Sequence, residues 1–145
     1  MSDAYRVETN TIDGGPTALG QAGSFTLVSD RPSSAGGRGH GFSGGQLLNL
    51  AVAACISNDL YREAAARGIA LTRVRVTVDA DYRGDPAVST PIEYEVEVDG
   101  DAPTEALDEL VAHVDAIAEI PNSLRSGTEV RLRDRRVASA HGSSN

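Results

Sequence analysis

The sequence contains no lysine and no tryptophan, a single cysteine, a single methionine, and few aromatic residues, four tyrosines and two phenylalanines. Each shortage removes a class of function. Without lysine there is no Walker-type phosphate loop, whose lysine must reach the nucleotide phosphates. One cysteine forms no intramolecular bridge, so neither a disulfide framework nor an oxidising compartment is expected. His40, His113 and His141 are widely separated and the ligand spacing of a zinc site is missing, so no metal is expected, and no cofactor motif stands out. No apolar run approaches the roughly 18 residues of a membrane span, and the opening Met1 to Arg6 lacks the basic-then-apolar order of a leader. These features point to a soluble protein of the reducing cytoplasm with no membrane partner.

Positive charge is also scarce. Twenty-one acidic residues face 13 basic ones, for a net charge of -8. Binding to a phosphate backbone needs a basic patch, and Arg131, Arg133, Arg135 and Arg136 do not overcome this background. They fall in a predicted terminal strand, where such charges mark a solvated face or edge, and no nucleic-acid partner is expected. At 145 residues the chain forms one domain able to bury about 70% of its unfolded surface.

Ala4 to Thr11 alternates weakly and reads as a strand, Asp13-Gly14-Gly15-Pro16 as a turn, and Ser24 to Ser29 as a second strand. From Asp30 to Gly41 the Pro, Ser and Gly content predicts a loop, of a length that is often functional. Ser43 and Gln46 then form the S-x-x-Q capping box of a helix start. The helix runs from Gly44 to Arg67 and is closed by Gly68. Its first half, Leu47 to Ile56, is apolar on nearly every face, whereas Arg62, Glu63 and Arg67 make the second half amphipathic. A helix apolar all round must be covered all round, which predicts a homodimer.

Ile69 to Tyr82 and Pro91 to Val98 alternate strictly, with Val74, Val76 and Val78 facing one side and Ile92, Tyr94 and Val96 matching them, and they read as an antiparallel hairpin. Asp101 and Pro103 start a second amphipathic helix through Ile117. Pro121-Asn122-Ser123 starts a short turn, and Thr128 to Val137 a last strand. One domain is expected over 1–137, with a flexible tail over 138–145. Strands grouped apart from helices give an α+β class, an antiparallel sheet packed on the long central helix.

Cys55 is the one reactive side chain in prospect, although a lone cysteine in an apolar helix is by default a small hydrophobe. A thiolate needs a cation, a donor or a helix N-terminus nearby, and Cys55 lies too deep in its own helix for the last. Asp59, one turn later, opposes ionisation if it faces the same side. Arg38 and His40, in the glycine-rich stretch Gly36 to Gly41, are the candidate activators. Those glycines read equally as allowing close approach to a ligand or as a solvated linker. His40 alternatively serves as base in another cysteine-dependent reaction. Gly39-His40-Gly41-Phe42-Ser43-Gly44 matches the G-x-G-x-x-G fingerprint literally but lacks the βαβ context its mechanism requires. His113 reads as a helix-surface residue. Asn49, Asn58 and Asn122 are polar residues in segments expected to be buried, and they need partners across an interface or in a pocket.

Gly41-Phe42-Ser43-Gly44-Gly45-Gln46-Leu47-Leu48, running into Asn49 to Cys55, resembles the segment of the OsmC and Ohr peroxide reductases in which a T-N-P-E-x-L start leads into an alanine-rich helix bearing the peroxidatic cysteine. Gly68-Ile69 and the alternating valine strand follow as in that family, and Ile120-Pro121-Asn122-Ser123-Leu124 resembles its C-P-x-S segment. The resemblance spans about Ala4 to Val137. It implies an OsmC-like fold, an intertwined homodimer and a small-molecule pocket including Gly45, Asn49, Ile120 and Asn122. Cys55 matches the attacking cysteine, while Gly45 stands at the position of the activating glutamate and Ile120 at that of the resolving cysteine. Arg31 or Arg38 is then the available guanidinium. Three functions follow as expectations: a one-cysteine organic hydroperoxide reductase served by an external thiol reductant, a divergent enzyme using the same pocket in specialised metabolism, or a non-catalytic ligand-binding dimer.

Overall fold

A computed structural model describes residues 3–141 of the chain. A 3₁₀ turn at Asp3–Tyr5 leads into an antiparallel meander of β1 (Glu8–Thr11), β2 (Ala18–Ala22) and β3 (Phe25–Ser29). Asp13 and Gly14, at φ 53° and 62°, make the tight turn before β2, and Gly23 at φ 58° makes the next. Positive φ at such positions matches the twist of paired strands. β2 reads Ala-Leu-Gly-Gln-Ala and carries no β-branched residue, so it is invisible to strand propensity. Pairing on both sides makes it a strand.

The segment from Asp30 to Gly41 is a structured loop. It returns beside β3, where the Asp30 N–H donates to the Phe42 carbonyl at 2.9 Å and the Phe42 N–H to the Val28 carbonyl at 3.0 Å. Its glycines serve the chain's own backbone. A Cβ at Gly37 would lie 2.0 Å from the Arg31 carbonyl oxygen, and one at Gly41 would lie 2.2 Å from that of Val28. Most of the segment is nonetheless exposed to solvent.

The central helix α1 (Gly44–Ala66) begins on the expected capping box. The Ser43 Oγ accepts from the Gln46 N–H at 3.3 Å, and the Gln46 Oε1 accepts from the Ser43 N–H at 2.9 Å. Gly68, at φ 67°, lets the Ile69 N–H reach the Ala64 carbonyl and close the helix. The long hairpin of β4 (Leu71–Asp79) and β7 (Glu93–Gly100) follows, and its connection holds a small hairpin of β5 (Tyr82–Arg83) and β6 (Val88–Ser89). Two helices complete the order, α2 (Thr104–Ile117) and α3 (Glu119–Arg125). The class is α+β, as expected.

The core lies where α1 crosses α2 and the inner face of β4 and β7. Ile56, Leu60, Ala64, Leu110, Val114 and Ala118 are buried, with Val74, Val76, Val96 and Val98 packed against them. Two expectations fail. Asn58 is exposed, because its side of α1 has no cover within the chain. Thr128 to Val137 forms no strand, since a strand needs an edge to pair with and this segment meets none in its own chain. Val130, Leu132 and Val137 are 94%, 79% and 85% exposed. Of the expected tail, 138–141 is exposed and irregular, and 142–145 lies outside the described residues.

Candidate functional site

Gly45, Leu48, Val52, Cys55 and Asp59 recur at three- and four-residue spacing and share one stripe of α1. Leu48 and Val52 form the floor of a 340 Å³ recess. One wall comes from the strand side, with Ser89, Thr90, Ile92 and Tyr94. The other is α3, with Pro121, Leu124 and Arg125. The recess exists because α3 packs back against α1 and leaves a gap between itself and the hairpin. Its size and its few polar groups on apolar walls suit a small ligand.

Cys55 follows Val52 on this stripe. It is half-buried and packs against the core, and its Sγ lies 3.9 Å from the Asp59 Oδ2. Asp59 is itself buried, and its other oxygen pairs with the Arg62 Nη1 at 2.8 Å. Asp59 therefore does face the same side as the thiol. A thiolate at Cys55 would meet the Asp59 carboxylate, whose other oxygen is already paired with Arg62.

The two loop candidates are organised elsewhere. The buried Asp30 carboxylate accepts from the Thr17 hydroxyl at 2.8 Å and from the backbone N–H groups of Arg31, Arg38 and His40 at 2.7, 3.2 and 3.2 Å. Burial works against its ionisation, but the Thr17 bond and the three backbone donors outweigh it and hold its pKa at about 2. Arg38 and His40 are thus fixed together through their backbones. The Arg38 guanidinium reaches the Asp13 carbonyl at 3.5 Å, and among the described residues no hydrogen bond joins either side chain to Cys55.

The pocket residues divide in the same way. Gly45 lies under the Tyr82 ring, since a Cβ there would sit 2.7 Å from Cε2. The Asn49 Oδ1 is buried with no partner among the described residues. Ile120 is half-buried beside Pro121. Asn122 is engaged within its own helix pair, its Nδ2 donating to the Ala116 carbonyl at 2.9 Å and its Oδ1 accepting from Arg125 at 3.0 Å. His113 is a half-exposed helix residue, 3.2 Å from Glu63 on α1.

Sequence reasoning missed a polar cluster at the recess. The Tyr94 hydroxyl donates to the Asp115 Oδ1, which also accepts from the Arg125 Nη2 at 2.7 Å, while the Arg125 Nη1 donates to the Asp115 carbonyl at 2.8 Å. Burial and then the hydrogen bond to Asp115 push the Tyr94 phenol up to about 12. The Tyr94 bond and then Arg125 hold the Asp115 carboxyl below its usual range. A signal was present: a tyrosine among inward valines must bring a partner for its hydroxyl.

A family model described as OsmC-like protein matches residues 37–133. Among solved structures, an OsmC-like protein from Mycoplasma pneumoniae superposes with a TM-score of 0.74 at 18% identity, covering 88% of this chain and 92% of that one. An organic hydroperoxide resistance protein from Legionella pneumophila gives 0.57 at 20%, covering 83% and 88%. A putative organic hydroperoxide resistance protein from Vibrio cholerae, with captopril bound in one of its active sites, gives 0.63 at 20%, covering 88% and 89%. At these identities the structural likeness establishes the fold alone. No match was found among curated proteins. The order of strands, central helix, hairpin and terminal helices, together with the match over 37–133, makes the chain a member of the OsmC-like protein family.

Proposed function

We propose that the chain is a homodimeric, one-cysteine reductase of organic hydroperoxides. Family membership supports this reading, and the observation that carries it is the placement of Cys55 one turn beyond the recess, on the helix stripe that floors it. In the reaction the Cys55 thiolate attacks the distal peroxide oxygen. The O–O bond breaks and the alkoxide leaves to be protonated to an alcohol, giving a sulfenic acid at Cys55. With Ile120 where the family carries its resolving cysteine, a low-molecular-weight thiol condenses with the sulfenic acid and releases water. A second thiol then breaks the mixed disulfide and restores Cys55.

Within one chain the thiol faces Asp59, so the activating cation comes from assembly. Leu50 is 46% exposed and Val130, Leu132 and Val137 are almost fully exposed, and apolar surface of this extent seeks a cover. The second copy supplies that cover, pairs the unformed Thr128 to Val137 segment, and brings the loop holding Arg38 and His40 toward the site. It also offers a donor to the orphaned Asn49 Oδ1.

The test is mass spectrometry of the reduced protein after one equivalent of cumene hydroperoxide, with dimedone to trap sulfenic acid. The expected product is a dimedone adduct on Cys55 alone. An unmodified Cys55 favours the second reading, a ligand-binding dimer without turnover, for which the Asp59 carboxylate at the thiol is the specific observation.

A further inference from the structure

The carboxylate beside the thiol is held so that one of its oxygens is left for the sulfur. Asp59 is buried, and its Oδ1 pairs with the Arg62 Nη1 at 2.8 Å. Arg62 is steadied in turn by Glu63, its Nε donating to the Glu63 Oε1 at 3.2 Å. The Asp59 Oδ2 faces Cys55, whose thiol donates to it across 3.9 Å. The four-residue spacing puts the pair one turn apart on the stripe of α1 that floors the recess, so carboxylate and sulfur share one side of the site. A separation of 3.9 Å is long for a proton transfer, but catalytic hydrogen bonds of this kind commonly tighten once substrate binds.

An anion here disfavours a standing thiolate, yet reduction of a hydroperoxide needs more than a thiolate. Its leaving group is an alkoxide, a strong base that departs readily only when it is given a proton. We propose that Asp59 is the catalytic proton carrier: its Oδ2 takes the Cys55 thiol proton as sulfur attacks the distal peroxide oxygen, and returns it to the alkoxide as the O–O bond breaks. The distal oxygen keeps its own hydrogen and becomes the sulfenic hydroxyl. Sulfur gives up two electrons, the peroxide bond takes them, and the one proton passed along ends on the alcohol. Burial of Asp59 keeps that proton from bulk water between the two transfers. Arg62 pins the other oxygen, so the proton resides on the side of the sulfur. This role rests on the hydroperoxide-reductase reading and deepens it, because it names the group that handles the proton.

The experiment compares two reactions of Cys55 in the full-length, reduced protein, single-turnover release of cumyl alcohol from cumene hydroperoxide and alkylation by iodoacetamide. Iodide leaves without a proton, whereas the alkoxide does not. Asp59→Asn should therefore slow cumyl alcohol release about a hundredfold, the size of a lost general acid–base group, while alkylation becomes faster. A group that only opposes the thiolate by its charge, or only supports the local structure, moves both rates the same way. Cumyl alcohol release that is unchanged or faster in Asp59→Asn, or slowing of both reactions, overturns the proposal. If the variant fails to fold by circular dichroism, the wild-type release rate in D₂O decides: a proton in flight makes it slower than in H₂O, and an equal or faster rate overturns the proposal. Wild-type protein that releases no cumyl alcohol overturns the reductase reading and this role with it, whereas wild-type turnover that Asp59→Asn leaves intact overturns the role of Asp59 alone.

Discussion

The two halves of α1 differ in what covers them. Beyond Cys55, Ile56, Leu60 and Ala64 are enclosed by α2 and the β4–β7 hairpin, and the amphipathic pattern has its cover within the chain. Before Cys55, only Val52 is fully buried, while Leu50, Ala51 and Ala54 are exposed even though the sequence is apolar all round. The same helix is therefore finished at one end and open at the other. Cys55 stands at the junction, which is where a pocket completed by a second subunit would place reactive chemistry.

The sharpest way to test the finished half is Leu60→Ala. Leu60 is wholly buried, and its loss should cost about 2–5 kcal/mol of unfolding free energy in urea. A cost below about 1 kcal/mol would mean that this half is not the core. The open half answers differently. Leu50→Arg should leave the far-ultraviolet spectrum unchanged and turn a dimer at micromolar concentration into a monomer by light scattering. A dimer that survives this change would place the interface elsewhere.

At the junction, Asp59→Asn removes the anion 3.9 Å from the thiol. Alkylation of Cys55 by iodoacetamide at pH 7 should accelerate about fivefold, because a unit charge at this distance contributes on the order of 1 kcal/mol even when solvent screens it. An unchanged rate would show that assembly, not Asp59, controls the thiol. Of similar size is Tyr94→Phe, which deletes one hydrogen bond to Asp115 and should cost about 1 kcal/mol of unfolding free energy in urea.

Two pH windows separate the recess from the loop. Tyr94 titrates at about 12 in the fold against 10.0 unfolded, so its contribution is complete below pH 10 and is lost as pH rises toward 12. Asp30 runs in the opposite sense, at about 2 against 3.8, and its contribution is present above pH 4 and lost as pH falls toward 2. The protection factors of the Arg31, Arg38 and His40 amides should therefore fall as pH drops from 4 toward 2, a direction in which the recess loses the Asp115 carboxylate as well. Unchanged protection of those three amides over that range would contradict the role of Asp30.

Much of this was legible along the chain, for local reasons. Ser43 and Gln46 cap α1 with their own side chains, Gly68 ends it, and alternating valines build β4 and β7, all within a few residues of contact. The failures are non-local. β2 has no strand-forming residues and exists through its two neighbours, and Thr128 to Val137 has the right alternation but no edge to join. The glycines before α1 are required by Arg31 and Val28, a contact that no spacing rule contains.

The sequence by itself determined the central helix, its cap, its hairpin, its family resemblance and the position of Cys55, because periodicity and capping act over one or two turns. Only the tertiary structure decided what surrounds that cysteine. Asp59 reaches it by helix geometry, while Tyr94, Asp115 and Arg125 come from a strand and two helices up to 31 residues apart and are brought to one wall by packing alone. Hydrogen bonds between side chains so far apart follow from the burial of other residues, and no local pattern records them.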